Sequence, residues 1–252
     1  MAEVPGTLEG WYALHDFRHL DWPRWNKLSR SEQEEIVAEA AAYLEKAESP
    51  AEGSSALYSI IGHKADLMLL HLRPTADELG ALERAFAQTR LAEYTTQPYS
   101  YLSVTELSLY EASARGGSED PEELKKNPFV QKRLKPAIPD VPYVCFYPMN
   151  KRRGEVVNWY AADMEERRRM MREHGSTGRK YAGEITQMIT GSMGLDDWEW
   201  GVTLFGVDTL PIKKLVYEMR FDEVSAKFAE FGAFHIGMRV RGVSGLGSVL
   251  MG

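Results

Sequence analysis

The residues with the most evident chemical potential lie close together in the segment PYVCFYPMNKRR, which runs from Pro142 to Arg153. The segment reads as a β-strand, and successive side chains of a strand point to opposite faces. A phenol, a thioether and an ammonium group in one row are unusual for a strand that only packs a core. We therefore expect a bound group that uses a redox-active phenol and a cation, over the face made of Tyr143, Cys145, Tyr147, Met149 and Lys151.

His174 is the second candidate for chemistry. It follows the helical run MEERRRMMRE and precedes Gly175, with Met170 and Met171 at helical spacing from it. One interpretation is a histidine that favours the negative end of a helix terminated by Gly175. The other is an axial ligand of a haem iron beside an apolar cavity. The remaining five histidines show no paired spacing typical of metal ligands, so a site of several histidines around one metal is not expected.

Gln187 lies in a predicted strand between Ile185 and Ile189, which share its face. The alternation predicts a buried amide, and a buried amide requires a hydrogen-bond partner. That partner is either the backbone or a bound ligand, and the residues alone leave both open.

Basic residues cluster around these segments. Most charge runs are solvated faces, but a few cations around a cavity would hold a ligand with several carboxylates. The sequence contains no phosphate-binding loop, nucleophile elbow or dinucleotide fingerprint, which argues against the common phosphate and hydride chemistries. The clusters are Lys132, Arg133 and Lys135; Lys151, Arg152 and Arg153; Arg167 to Arg169; and Arg179 with Lys180.

Composition restricts the class of protein. The 252 residues carry a formal net charge of -7, so neither nucleic acid nor an anionic membrane surface is an expected partner. A single cysteine, Cys145, cannot form an internal disulfide or a cysteine-ligated zinc site. The opening MAEVPGTLEG lacks the pattern of a signal peptide, and no apolar run approaches the roughly 20 residues of a membrane-spanning helix. We expect a cytoplasmic soluble protein.

The predicted elements run β-α-β-β-α-β twice. This order indicates an α+β fold of two ferredoxin-like halves, forming a dimeric α+β barrel-type chain. The predicted domains are residues 1–113, a linker with a connecting helix over 114–140, and residues 141–252. The first set is Thr7–His15, Trp22–Glu48, Ala56–Ile61, Ala65–Arg73, Thr75–Arg90 and Tyr99–Tyr110, with a hairpin at Gly62-His63-Lys64. Between the sets lie the linker Ala114–Asp120 and the helix Pro121–Leu134; the second set is Val141–Met149, Asp163–Glu173, Glu184–Thr190, Glu199–Gly206, Asp208–Arg220 and Ala233–Val240.

Three runs together resemble a known family. They are YPMNKR, WYAADMEERRRMMREHGSTGRKY and ITQMITGSMGLDDWEWGVTLF. In combination they are similar to the coproheme decarboxylases, the haem-synthesis branch of the chlorite-dismutase-like superfamily. The resemblance extends over nearly the whole chain, including YSYLSVTELSLY.

The resemblance implies roles for individual residues. Tyr147 would be the catalytic tyrosine that forms a phenoxyl radical, with His174 as the proximal iron ligand and Gln187 on the distal, peroxide-facing side. Arg179 would have a pocket or channel role. Residues that line the pocket or contact propionates would be Arg133, Met149, Lys151, Arg220 and Ser225, and alternative radical sites would be Trp159, Trp198 and Trp200.

The same resemblance implies the reaction. Coproheme would be both substrate and redox centre, and hydrogen peroxide would drive decarboxylation of its propionates at ring positions 2 and 4 to give haem b. The porphyrin would bind in the half formed by residues 141–252, with the first half mainly supporting packing. A homopentamer and a transient contact with the upstream ferrochelatase are also implied.

Three other functions remain open on the sequence. Chlorite dismutases carry a distal arginine where this chain has Gln187, and a neutral amide stabilises an anionic intermediate poorly. Chlorite or peroxidase chemistry is therefore disfavoured. A haem-binding or haem-delivery protein without turnover needs the same pocket but no use for Tyr147. A plain α+β barrel with a structural or small-ligand role would bind no porphyrin.

Overall fold

A single antiparallel sheet forms the centre of the molecule. The computed structural model describes residues 4–109, 112–113, 117–118 and 120–252. Within them the strands are β1 (Thr7–Leu20), β2 (Ser54–Ile61), β3 (Leu67–Arg73), β4 (Thr95–Ser108), β5 (Tyr143–Lys151), β6 (Ile185–Gly191), β7 (Trp200–Gly206), β8 (Ala229–Phe231) and β9 (His235–Val240).

The sheet closes on itself. Its strand order is β7-β6-β4-β1-β3-β2-β9-β5-β8, and β7 also pairs with β5, so the first eight strands in this order form a barrel. The first half contributes β4-β1-β3-β2 and the second half contributes β6-β7-β5-β9. The halves join where β4 pairs with β6 and where β2 pairs with β9. The predicted α+β class and barrel-type arrangement are confirmed.

Helices cover the outer faces of both halves. They are α1 (Trp22–Trp25), α2 (Arg30–Glu48), α3 (Ala76–Ala87), α4 (Pro121–Leu124), α5 (Pro128–Leu134), α6 (Met164–Arg179), α7 (Thr209–Met219), α8 (Glu223–Phe228) and α9 (Gly242–Met251), with 3-10 turns at Arg90–Tyr94 and Trp159–Ala161. Ser29 and Thr75 begin α2 and α3 with reciprocal capping boxes to Glu32 and Glu78. Two orphan N–H groups are satisfied in each box.

Alternation of side chains produces two distinct packing layers. The barrel interior holds Phe17, Tyr58, Tyr101 and Phe146, all fully buried. The outer layer of the first half packs α2 and α3 against the opposite face of the same strands, around Trp25 and other apolar side chains. In the second half the outer layer lies over Cys145, Tyr147 and Val202. It is therefore the outer layer of the second half that carries the unusual polar residues.

Several predicted boundaries are wrong. The first strand continues past His15 to Leu20, because Phe17 and Arg18 still pair with β3. The helix predicted to end at Glu173 continues through Gly175 to Arg179, because Gly175 keeps helical backbone rather than a left-handed conformation. Gly175 therefore does not end the helix.

Other differences concern connections. The predicted helix Pro121–Leu134 is two short helices, because Asn127 caps a new one at Pro128. The fourth strand begins at Thr95 rather than Tyr99. Its predicted end at Tyr110, and most of the predicted linker Ala114–Asp120, lie outside the described residues. The domain boundaries at 113 and 140 stay a prediction. The elements β8, α8 and α9 had no counterpart in the sequence prediction.

Two features are absent from the described ranges. No helix in them is both long enough and apolar enough to cross a bilayer. In the same ranges no three histidine, cysteine or acidic side chains come together in a way that could hold a metal ion.

Candidate functional site

The candidate site is built on one face of β5, β7 and β6, here called the Tyr147 face. Paired residues of neighbouring strands share a face of the sheet. The register pairs Tyr147 with Val202 and Val202 with Ile189. One row away, it pairs Cys145 with Leu204 and Leu204 with Gln187. The Tyr147 face therefore contains Cys145, Tyr147, Met149, Gln187, Ile189, Val202 and Leu204.

Tyr147 has its ring held between aromatic neighbours. The ring stacks on Phe234 with centroids 4.4 Å apart, and the ring of Phe231 lies 5.7 Å away. The Arg220 guanidinium lies 3.9 Å from the Phe231 ring centroid. Tyr147 is 5% exposed, and its burial raises the pKa of the phenol, so the hydroxyl keeps its proton at neutral pH. In the described residues nothing hydrogen-bonds to that hydroxyl.

Lys151 ends β5 as a buried cation. It is 8% exposed, and its ammonium nitrogen lies 4.9 Å from the Trp159 ring centroid. Its backbone N–H donates to Glu199 Oε2 at 2.7 Å. Burial lowers the pKa of Lys151 to about 8, against the opposing pull of Asp222 and Glu199. No carboxylate of the described chain lies within ion-pair distance of the ammonium, so at neutral pH it is charged and unpaired.

His174 is held by a buried carboxylate. Its Nδ1 lies 2.8 Å from Asp222 Oδ2, and the other oxygen of Asp222 accepts the Ser225 N–H at 2.8 Å. Asp222 is 5% exposed. Burial acts to raise its pKa, but hydrogen bonds from His174 and Ser225 outweigh burial and leave that pKa below its ordinary value. An ionised Asp222 requires the hydrogen on Nδ1, which leaves the Nε2 lone pair of His174 available as a ligand.

The methionines near His174 do not form one apolar face. Met170 is fully buried and packs with Trp159, Val224 and Phe228, whereas Met171 is largely exposed. The predicted methionine-lined stripe is therefore wrong for Met171, because the helix turns that residue towards solvent.

Gln187 shares the Tyr147 face but lies at a distance from the phenol. Gln187 and Tyr147 lie two strands apart across the sheet and two residues apart along the strand direction, which places their Cα atoms roughly 10–12 Å apart. The side chain is half-buried rather than buried as predicted, and its amide makes no hydrogen bond to the described residues. A free amide on this face is consistent with a role towards a ligand.

Ser225 lies near His174 and Arg220 lies near Tyr147, and their contacts with a ligand stay predictions. Ser225 Oγ is 3.5 Å from His174 Nδ1. Arg220 follows the end of α7, close enough to Tyr147 for its charge to act on the phenol pKa. Met149 is half-buried on the Tyr147 face, paired across strands with Trp200. These residues converge with Tyr147, Lys151 and His174 on one side of the second half.

Arg133 and Arg179 are not brought to the Tyr147 face by any contact in the described ranges. Arg133 lies on α5, which packs against β1 and β4 of the first half. Its guanidinium has no ion pair or hydrogen bond in the described part of the chain. Arg179 is the last residue of α6, one turn beyond His174. Their proposed contacts with a ligand stay predictions.

The three candidate tryptophans occupy different surroundings. Trp159 packs beneath the Lys151 ammonium. Trp200 donates from Nε1 to Glu106 Oε1 at 3.0 Å. Trp198 packs against the barrel interior instead. Trp159 and Trp200 are therefore the two that border the Tyr147 face.

Sequence reasoning missed three residues of this site: Asp222, Phe231 and Phe234. The spacing of Asp222 and Ser225 is a recognisable helix-cap signature, and it could have located the start of α8. It carries no information on the contact with His174, which lies 48 residues earlier. The two phenylalanines look like ordinary core residues in the sequence.

Comparisons with known proteins agree with the fold. The chlorite dismutase family model matches residues 33–240. A relative from Haloquadratum walsbyi, provisionally named as haem-binding, is 51% identical over 95% of this chain and 46% of its own length. A similarly named relative from Natronomonas pharaonis is 50% identical over 94% of this chain and 40% of its own length. The chain thus spans about half the length of these curated relatives.

Solved structures extend the comparison. A structure described as a novel haem-binding protein from Thermus thermophilus is 43% identical, with a TM-score of 0.90, and the match covers 99% of this chain and 98% of that one. A variant of the chlorite dismutase from Candidatus Nitrospira defluvii has a TM-score of 0.75 at 22% identity, covering 96% of this chain and 94% of that one. The second likeness concerns the fold alone.

Proposed function

The chain belongs to the chlorite dismutase family, and from that premise we propose that it binds coproheme and converts it to haem b with hydrogen peroxide. The observation that supports this most directly is the pair of buried, unpartnered groups on one strand. Among the described residues, Tyr147 presents a protonated phenol and Lys151 an unpaired ammonium on the same face. Neither polar end belongs to the fully buried atoms that lack a partner, so both the hydroxyl and the ammonium keep some contact with solvent and are open to a ligand.

The side chains fit an iron porphyrin with acidic arms. The Nε2 atom of His174 is available, and its Nδ1–H is fixed by Asp222 in the manner typical of metal-ligating histidines. Lys151 and Arg220 supply cations for carboxylate arms. Apolar side chains such as Val202 and Leu204 supply the surface on which a flat ring can lie. Haem binding also agrees with the names of the relatives from Haloquadratum walsbyi, Natronomonas pharaonis and Thermus thermophilus.

When bound, the iron porphyrin supplies the two-electron reduction of hydrogen peroxide to water. Tyr147 gives up its hydroxyl hydrogen and then regains one from a propionate side chain. The carbon–carbon bond to the carboxylate breaks, carbon dioxide leaves, and loss of a second electron completes the vinyl group. For each arm, one propionic acid and one peroxide give one vinyl group, one carbon dioxide and two waters.

Lys151 holds an acidic arm of the ligand on the same face as Tyr147. The two residues lie four positions apart on the strand, roughly 13 Å, so a ligand with several acidic arms can contact both. Because the pKa of Lys151 is about 8, the ammonium can also release a proton to the carboxylate region near neutral pH. Close approach is required, since hydrogen transfer works at roughly 3–3.5 Å.

Gln187 favours this reaction over chlorite chemistry. A neutral amide provides no positive charge for an anionic chlorine–oxygen intermediate. The specific alternative is a haem-binding protein without turnover, and the names of the relatives mention haem binding alone. The expected cytoplasmic location, homopentamer and transient ferrochelatase contact stay predictions.

The test is a titration with coproheme followed by peroxide. We expect a Soret shift on binding and then loss of two carbon dioxide units, read by mass spectrometry. Tyr147→Phe should bind coproheme as the unmodified protein does and release no carbon dioxide. Tyr143→Phe, on the same strand, is the matched control and should retain turnover. Binding without decarboxylation in the unmodified protein would favour the haem-binding alternative, and no Soret shift would refute both.

A further inference from the structure

The segment between β8 and β9 carries the ring that stacks on Tyr147. It comprises Gly232, Ala233 and Phe234. Gly232 approaches β5 closely, since a Cβ atom there would lie 2.6 Å from Pro148 Cγ and 2.9 Å from a ring carbon of Trp198. Its N–H donates to the Pro148 carbonyl at 2.8 Å. One end of the segment is therefore fixed to the strand that bears Tyr147.

The other end leads into β9, whose His235 pairs with Phe146 of β5, and it also receives an exposed contact from the first half of the chain. Lys64 Nζ donates to the Phe234 carbonyl oxygen at 2.6 Å, across 170 residues of sequence. Lys64 belongs to the hairpin between β2 and β3, whose turn begins at Gly62 with a φ of +98°. Glycine adopts that left-handed conformation without strain, so the turn projects Lys64 in a defined direction.

Tyr147 has no hydrogen bond of its own to hold its ring. The hydroxyl is unpartnered in the described residues, so the orientation of the phenol depends on its ring contacts alone. The stack on Phe234, with an interplanar angle of 24°, is the closest of these. Phe234 therefore helps to set where the phenol points, together with Phe231 and the apolar cluster around Tyr147.

We propose that Phe234 and Lys64 are positioning residues for Tyr147, with Lys64 acting through the Phe234 carbonyl. The inference rests on the proposed function for its catalytic consequence, but the positioning itself is a property of the ligand-free protein. It gives the first half a direct part in the site, beyond the mainly supporting role expected from the sequence. Phe234 contacts Tyr147 without hydrogen-bonding to it, so its effect is on orientation and on exclusion of water.

The first measurement uses ligand-free protein and tetranitromethane. Nitration of Tyr147 is quantified by peptide mass spectrometry. Lys64→Met and Phe234→Ala should each raise the nitrated fraction severalfold, because the ring becomes mobile and accessible. Lys64→Arg keeps a donor and should restore protection. His63→Met is the matched control in the same hairpin, since His63 has no contact with Phe234 in the described chain, and it should behave as the unmodified protein.

The second measurement uses the coproheme complex and peroxide. Lys64→Met and Phe234→Leu should slow release of the first carbon dioxide by about tenfold or more, with coproheme affinity unchanged, since small misplacements of a reacting group are costly. Phe234→Leu keeps an apolar side chain, which guards against loss of folding. Unchanged nitration in Lys64→Met, or slowing matched by an equal loss of affinity, would overturn the proposal. Absence of turnover in the unmodified protein would refute the proposed function while the nitration result still decides the positioning.

Discussion

Replacing Asp222 by asparagine tests whether the His174 contact serves ligand binding. The substitution keeps the shape of the side chain and removes its charge. Asp222 accepts from His174 Nδ1 and from the Ser225 N–H, one bond to each oxygen. An amide offers only one oxygen, so one of the two donors must face an NH₂ group.

The expected loss follows from those two bonds. A hydrogen bond to a charged acceptor contributes roughly 1.5–3 kcal/mol, and Asp222 is almost completely buried, so water does not replace it. If the single amide oxygen of the variant accepts the Ser225 N–H, then His174 Nδ1–H loses its acceptor. The Nε2 atom of His174 then becomes a weaker iron ligand. Changes to such supporting residues lower metal affinity by about 10–100-fold. We expect coproheme and haem affinity to fall within that range.

The assay is a Soret titration of the unmodified protein and the variant, alongside urea unfolding of both. Asp208→Asn is the matched control. Asp208 also caps a helix, accepting the Leu210 N–H at 3.0 Å, but it is exposed and has no contact with His174 in the described chain. Both variants should lose some folding stability, and only Asp222→Asn should lose affinity. Equal affinities in the two variants would refute the role assigned to Asp222.

Two further predictions concern pH and charge. Burial lowers the pKa of His15 and His71 to about 3 and of His235 to about 4, whereas the unfolded chain titrates near the ordinary 6.5. Below about pH 6 the unfolded state therefore binds more protons than the folded state. As the pH falls, the free energy of unfolding measured with urea should decrease by up to roughly 1.4 kcal/mol per pH unit for each histidine. A constant free energy of unfolding from pH 7 to 5 would contradict this. Because burial lowers the pKa of Lys151 to about 8, Lys151→Met should stabilise the ligand-free protein at pH 7 by roughly 1–3 kcal/mol. The gain should shrink towards pH 10 and coproheme binding should weaken, whereas a less stable variant would count against an unpaired buried charge.

Patterns within a few residues of sequence were enough to predict those parts of the site that lie on one strand or one helix. The period of two along β5 places Tyr147 and Lys151 on one face whatever the tertiary structure. The helix caps at Ser29 and Thr75 involve groups within three residues, which makes this kind of contact local as well. His174 is an intermediate case. Its helix was predicted, but the continuation past Gly175 depends on α6 packing against α7 and α8, which no local signal records.

Contacts over long sequence separations could not be predicted. The Asp222 carboxylate meets His174 only because α8 folds back beside α6. Lys64 reaches the Phe234 carbonyl only because β2 and β9 pair where the two halves join. In both cases each residue alone looks like a common surface or capping residue. What makes them part of the site is the closure of the barrel.

The outer faces of β1 and β5 differ in how their polar side chains are partnered. On the outer face of β1, Asp16 accepts from Arg18 at 2.6 Å and from Gln97 at 2.9 Å, so its burial is compensated within the protein. On β5, the topological equivalent, Tyr147 and Lys151 have no such partners among the described residues. Buried polar groups retained without partners lower the stability of the ligand-free fold. Under the proposed function a ligand would supply the missing contacts on β5, whereas Asp16 on β1 is already satisfied by the protein itself.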